Sequence, residues 1–368
     1  MAPAEDPEYL SRQLITYLGN KRALLDFIGA SVQRVRDRLG QRKLATLDVF
    51  SGSGVVARYL RKDSDRLIAN DLEAYSAVIN RCYLANPTPL LLDELRTHHA
   101  QLTAQIHTHG LQSGFLAELY APADDRAIQP HERVFYTTRN ARYLDTMRRL
   151  IDDVPVHLRD FFLAPLLSQA SIHANTSGVF KGFYKDSASG LGQFGGNRRD
   201  ALARITSDIA LPLPIFSRFA VDCEVRQQDA NALIADLAEV DLAYIDPPYN
   251  QHPYGANYFM LNLLVDYRRP KVVSPVSGIP VDWRRSQYNR RAQARETLTQ
   301  LVTAMPAKFL LVSFNSQGFI AKDDMLALLS RVGKTEVLET PYNAFRGSRN
   351  LADRALHVRE FLFLVEKS

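Results

Sequence analysis

Cysteine is nearly missing from this chain. Of 368 residues only Cys82 and Cys223 carry a thiol; they lie far apart and without metal-ligand spacing, which argues against a disulfide framework or a zinc site and fits a reducing compartment. Long apolar runs are missing too, since no stretch approaches the roughly 20 residues that a membrane-spanning helix needs. The opening Met1-Ala-Pro-Ala-Glu-Asp6 is acidic and leads into no signal-type apolar core, so a cytoplasmic location away from membranes is expected. His98, His99, His107 and His109 have no carboxylate or cysteine to complete a ligand set; they read as a solvated helix, and no metal is expected. No internal repeat is visible.

What is present is an ordinary globular composition, 46% hydrophobic and 23% charged, long enough for two domains and a full core. The net charge of +5 points weakly to a polyanionic partner, and the local pattern says more than the total. Arg284, Arg285, Arg290, Arg291 and Arg295 fall in twelve residues without an acid, interleaved with Ser286, Gln287, Tyr288 and Asn289. That mixture suits phosphate oxygens and base edges, although a solvated basic helix face would look similar.

Asp246-Pro247-Pro248-Tyr249 follows the apolar run Asp241-Leu-Ala-Tyr-Ile245, which reads as a buried parallel strand ending at a cleft with an exposed acid. Two prolines fix φ near −65° and remove two backbone donors, leaving a stiff, acceptor-rich loop. If the Asp246 carboxylate and the Pro247 carbonyl each accept a hydrogen from an exocyclic amine, its nitrogen is drawn toward tetrahedral geometry. The lone pair is then localised for attack on a methyl group, and Tyr249 is placed to stack on the base. The tetrapeptide resembles the catalytic motif of S-adenosylmethionine-dependent amino methyltransferases, DNA adenine-N6 methyltransferases in particular.

A second segment fits a cofactor site. Leu44–Phe50 reads as a strand, Ser51-Gly52-Ser53-Gly54 as a turn and Val55–Leu60 as a helix. With Ala57 the glycines match G-x-G-x-x-G/A, in which the glycines permit the turn, close ligand approach and helix packing. Asp71 lies about 20 residues beyond the first glycine, where an acid can bind ribose hydroxyls. A dinucleotide fold or a plain strand-to-helix turn would satisfy this part equally. Asp48 and Tyr17-Leu18-Gly19-Asn20-Lys21, ahead of a helical pattern at Leu24, Ile28, Val32, Val35 and Leu39, resemble the family's motifs for the methionine end of S-adenosylmethionine, with Lys21 offering a charge for a carboxylate or phosphate. Asp229 and Ala230 resemble its adenine contacts. The cofactor set this implies is Tyr17, Gly19, Lys21, Asp48, Phe50, Ser51, Gly52, Gly54, Asp71, Asp229 and Ala230.

The order of parts resembles the alpha arrangement of restriction-modification and Dam-like adenine methylases over almost the whole chain. That resemblance implies an α/β, Rossmann-like methyltransferase sheet, built from residues 1–84 and 222–368, with a mainly helical target-recognition insert at 85–221. The insert's Asn175–Lys185 and Gly192–Arg199 mix glycines, aromatics and cations, and Tyr254 and Tyr258 follow the tetrapeptide. Expected DNA contacts are therefore Lys181, Lys185, Arg198, Arg199, Tyr254, Tyr258, Arg284, Arg285, Arg290 and Arg291. Ser313-Phe-Asn315-Ser316 and Tyr342–Arg349 are further likenesses without an assigned chemistry. The implied function is N6-adenine methylation of a base flipped from double-stranded DNA, with a cognate restriction endonuclease as a candidate partner. An RNA base amino-methyltransferase and a catalytically silent DNA-binding regulator are the alternatives.

Overall fold

Leu44–Asp48 (β1), Ser64–Asn70 (β2), Asp222–Arg226 (β3), Val240–Ile245 (β4) and Ala307–Asn315 (β5) pair in parallel in a computed structural model that describes residues 5–196, 199, 201–343 and 357–367. β4 and β5 are buried on both faces, which is why they read as unbroken apolar runs and not as alternating ones. Leu242 and Tyr244 of β4 meet Ile28, Val32 and Val35 of the helix Leu25–Leu39. Ala243 and Ile245 point the other way, to Leu298, Leu301 and Val302 of the helix Arg291–Ala304.

Gly333–Asn343 (β6) and His357–Lys367 (β7) complete a seven-stranded sheet in the order β3-β2-β1-β4-β5-β7-β6, with β7 antiparallel to both neighbours. From β1 the chain winds outward through β2 to β3 and then returns to β4 on the opposite side of β1. Such a reversal leaves an uncovered crevice beyond the carboxyl ends of β1 and β4. The topology thus selects the end of the sheet at which Gly52 and Asp246 lie.

Asn86-Pro-Thr-Pro89 leads into a helix: the Thr88 hydroxyl accepts the Leu91 N–H at 3.1 Å and Pro89 occupies the first turn. Pro89–His109, Phe115–Tyr120, Thr138–Asp152, Arg159–Ile172 and Leu202–Thr206 follow, with no strand among the described residues of 85–221. These helices do not have a core of their own. Phe135, Leu144 and Phe162 pack in one apolar cluster with Tyr75 and Ile79 behind β2 and with Phe259 and Met260 beyond β4. Each such buried side chain is worth about 1.5–3 kcal/mol, so the insert is seated directly on the elements that carry the crevice.

Candidate active site

The turn after β1 is held by groups from β2. The Ser51 N–H donates to the Asn70 carbonyl at 2.9 Å, and Asn80 Nδ2 donates to Ser51 Oγ at 2.9 Å. Asp71 accepts the Gly52 N–H at 2.7 Å and the Glu73 N–H at 2.9 Å. Gly52 has φ +50°, and a Cβ there would sit 2.7 Å from the Tyr17 ring. Tyr17 is itself stacked at 5.0 Å on both Tyr254 and Tyr258, so it has nowhere to retreat. Gly52→Ala is expected to displace Tyr17 and to cost the fold roughly 1–2 kcal/mol of left-handed backbone strain; denaturant unfolding of parent and variant checks this.

Around this turn opens a cleft whose empty space, counted out through its mouth into open solvent, is roughly 680 Å³. Tyr17, Gly19, Phe50, Asp71, Asp229 and Ala230 line it, together with Asp246, Pro248, Tyr254 and Arg284. Six of the residues expected at a cofactor and two of the tetrapeptide therefore face one space. Ser51, Gly52 and Gly54 are buried in the turn beside Phe50 and do not line it. Asp48 lies beneath, 1% exposed, with both carboxylate oxygens lacking a hydrogen-bond partner. Burial, then Asp246 and Asp71, push its carboxyl well above the ordinary range. Asp229 also caps the helix Ala230–Leu233, accepting the Asn231 N–H at 2.9 Å.

Asp246 sits at the end of β4, and the structure corrects its expected exposure: it is mostly enclosed. Its Oδ1 lies 3.3 Å from Lys21 Nζ, which is also 3.4 Å from Glu360 Oε2 on β7. Burial raises the Asp246 carboxyl to about 6; Lys21 opposes that rise and Glu360 adds to it. Lys21 feels burial too, but the two carboxylates outweigh it and hold the ammonium well above the usual lysine range. Lys21 is thus corrected as well: at 3% exposure its charge is spent between two carboxylates and does not line the cleft. Tyr249 packs edge-on against Phe314 at 5.7 Å, its carbonyl accepts the Phe319 N–H at 2.9 Å, and Pro247 and Pro248 border the same apolar recess. The result is a fixed loop whose acid is ionised and acceptor-only at neutral pH.

The site is a buried carboxylate beside a cleft at the carboxyl ends of the strands, and comparison with known proteins gives the chain a family. A family model for D12 class N6 adenine-specific DNA methyltransferases covers residues 17–273, from the Tyr17 segment past the Asp246 loop. The chain belongs to that family. It is 26% identical to the type II methyltransferase M.NlaIII of Neisseria lactamica over 96% of this chain and 100% of that one. It is 28% identical to M.CviAII of Paramecium bursaria Chlorella virus 1, over 95% and 98% respectively. Against M.FokI of Planomicrobium okeanokoites it is 24% identical over 95% of this chain but 52% of that protein.

In this adenine-specific DNA methyltransferase the cations expected at DNA separate into groups. Arg285, Arg290 and Arg291 are exposed, Arg290 and Arg291 at the start of the helix Arg291–Ala304. Arg284 differs: it lines the cleft and lies 4.0 Å from Asp266, so it is not part of an outward basic face. Lys181 and Lys185 are exposed, and Lys181 Nζ approaches His252 Nδ1 at 3.5 Å. Arg199 is exposed with φ 55°; Arg198 and the 344–349 part of the Tyr342 segment lie outside the described residues. Tyr258 is corrected outright, because it is 0% exposed and its hydroxyl accepts the Leu18 N–H at 2.7 Å. Tyr254 is stacked on Tyr17 but reaches the cleft wall.

Sequence reasoning gave no role to several residues that the structure places around the cleft and Asp246. Glu73 lines the cleft, accepts Asn262 Nδ2 at 2.6 Å, and is raised by burial to about 7. Asn70 ties the strand ends together, donating to the Val49 and Gln228 carbonyls at 3.1 and 3.2 Å. Glu360 and Ser313 face Asp246 from β7 and β5. Asn70 and Glu73 flank Asp71 in sequence, which was a usable signal; Glu360 had none.

Proposed function

We propose that this enzyme moves the methyl group of S-adenosylmethionine to the N6 amine of an adenine turned out of duplex DNA. One observation carries the reading: the cleft lined by Phe50, Asp71, Asp229 and Ala230 is also lined by Asp246 and Pro248, so a donor and an acceptor can meet in it. The residues fit that donor, since Asp48 holds a carboxyl beneath the cleft that only the Phe50 and Ala57 N–H groups approach, too loosely for well-formed hydrogen bonds, and Asp71 and Asp229 offer acceptors to a nucleoside. When bound, S-adenosylmethionine supplies an electrophilic methyl on sulfur. Tyr17, Gly19, Ser51, Gly52 and Gly54 shape its seat.

Asp246 and the Pro247 carbonyl accept the two N6 hydrogens, Pro248 stiffens the loop, and Tyr249 supports the base. Holding the amine in line and offsetting the positive charge that grows on nitrogen supply most of the rate. Asp246 takes the proton or passes it to water after transfer. Opening the duplex costs a few kcal/mol, offset by interactions with the extruded base. Lys181, Lys185, Arg198, Arg199, Arg285, Arg290 and Arg291 meet the DNA, and residues 85–221 serve as the target-recognition part. We also place the enzyme in the cytoplasm, protecting sites that a cognate restriction endonuclease would cut.

The test is methyl incorporation from labelled S-adenosylmethionine into duplex DNA and into structured RNA, with N6-methyladenine mapped by sequencing. Label in RNA alone would end the DNA reading. Arg290→Ala with Arg291→Ala is expected to lower the slope of log affinity against log salt by about 0.9 for each phosphate that is no longer neutralised. An unchanged slope in a titration from low to moderate salt would remove both arginines from the interface.

A further inference from the structure

Val272, Val276 and Val281 are 58, 63 and 54% exposed, three of the five large apolar side chains that stand most open to solvent among the described residues. They fall on a hairpin. Val273 bridges Pro280, the Ser274 N–H donates to the Ile279 carbonyl at 2.8 Å, and the Val281 N–H donates to the Val272 carbonyl at 3.3 Å. Val272 and Val281 are therefore cross-strand neighbours on one face, with Val276 near the tip. Pro280 and Gly278 are buried on the other side.

The hairpin is braced, not loose. Tyr120 Oη donates to the Gly278 carbonyl at 2.7 Å and Arg133 donates to the Pro275 carbonyl at 3.2 Å. Gly278 has φ +70°, and a Cβ there would strike the Tyr120 ring at 2.6 Å. Holding valines outward on a rigid mount has no value for folding, since it leaves apolar surface in water. The surroundings name the occupant. From Asp266 to Arg291 the chain has seven arginines and lysines and two acids, Asp266 and Asp282; Arg269 pairs with Glu118 and Arg284 lies 4.0 Å from Asp266, and an excess of cations remains. Ser277 Oγ at the tip donates to the Lys181 carbonyl, and Lys181 reaches His252 on the loop that carries Asp246. An apolar edge inside a basic surround beside a base-handling loop is complementary to a polyanion with an apolar interior.

We propose that the 272–281 hairpin is a wedge that enters the base stack of duplex DNA and occupies the space vacated by the extruded adenine. The role rests on the function proposed above, and apolar side chains pushed between base steps are a general means of holding DNA open. The wedge need not touch the cofactor or the amine.

The experiment combines Val272→Ser, Val276→Ser and Val281→Ser, all surface changes, and reads two duplexes. One carries 2-aminopurine at the target position, whose fluorescence rises on extrusion; the other carries adenine opposite an abasic site, already unstacked. The variant is expected to lose most of the fluorescence rise and about tenfold or more in kcat/KM on fully paired DNA, since extrusion costs a few kcal/mol. On the abasic duplex it is expected to match the parent. Unchanged fluorescence and rate on paired DNA would overturn the wedge, as would equal losses on both duplexes or a change confined to self-association in sedimentation. If the parent enzyme methylates neither duplex, the underlying function fails instead.

Discussion

Asp246→Ala is expected to slow methyl transfer by about 10²- to 10³-fold or more, the scale of losing a preorganised group that meets developing charge, while the affinity for S-adenosylmethionine changes by less than about tenfold. The argument is positional. Asp246 is the cleft residue at the end of β4, whereas Asp48, Asp71 and Asp229 stand at the ends of β1, β2 and β3. The fold should survive the change, because Lys21 keeps Glu360 at 3.4 Å as its counter-charge. Asp246→Asn is the sharper control: it preserves shape, but its amide places hydrogens where the amine's own hydrogens must go. Single-turnover transfer and equilibrium dialysis separate the two readouts, and a parallel collapse of both would assign Asp246 to the cofactor.

The second large effect is expected from Lys21→Met. Removing one partner of a buried ionic cluster costs about 3–5 kcal/mol because the charges left behind lose their compensation. Here the remaining groups are Asp246 and Glu360, and only one of two facing carboxylates is then easily ionised. In the parent, the Asp246 carboxyl at about 6 predicts a transfer rate that rises with pH through that value and levels above it. Without Lys21 the rising limb moves to higher pH. Glu360→Gln in the same chain should return both stability and the limb toward the parent, which a loss of simple packing would not do.

Stability runs the opposite way to activity over this window. Asp246 titrates higher in the folded chain than in the unfolded one, so its contribution is full below its ordinary value of 3.8 and is lost as pH rises through about 6. Denaturant midpoints of parent and Asp246→Asn between these values should therefore diverge, with the parent losing ground as pH rises. The enzyme works where ionising its central acid costs the fold something.

Much of this arrangement was legible because its physics is local. A strand covered on both faces must read as an apolar run, so β4 announced itself, and the prolines after it fixed where the acid would stand. The left-handed turn at Gly52 and Gly54 is equally short-range. Pairings across the sheet were not legible. Lys21 and Glu360 are 339 positions apart, and nothing in a lone lysine says which carboxylates will surround it. Tyr254 and Tyr258 share a type and a neighbourhood, stack on each other and on Tyr17, and both bond Leu18 through their hydroxyls, yet only Tyr254 reaches the cleft. Arg284 was hidden by its five-arginine company, from which it turns inward.

β7 is the last of the seven strands to leave the ribosome, yet it belongs in the interior of the sheet, between β5 and β6. Its Glu360 supplies half of the counter-charge at Lys21. While the chain is still being made, the edge of β5 must wait unpaired although β6 has already emerged, and the charge at residue 246 is unsettled. A chain whose β7 has not docked would therefore keep the residues that line the crevice but lack Glu360, and with it the balance of charge at Lys21.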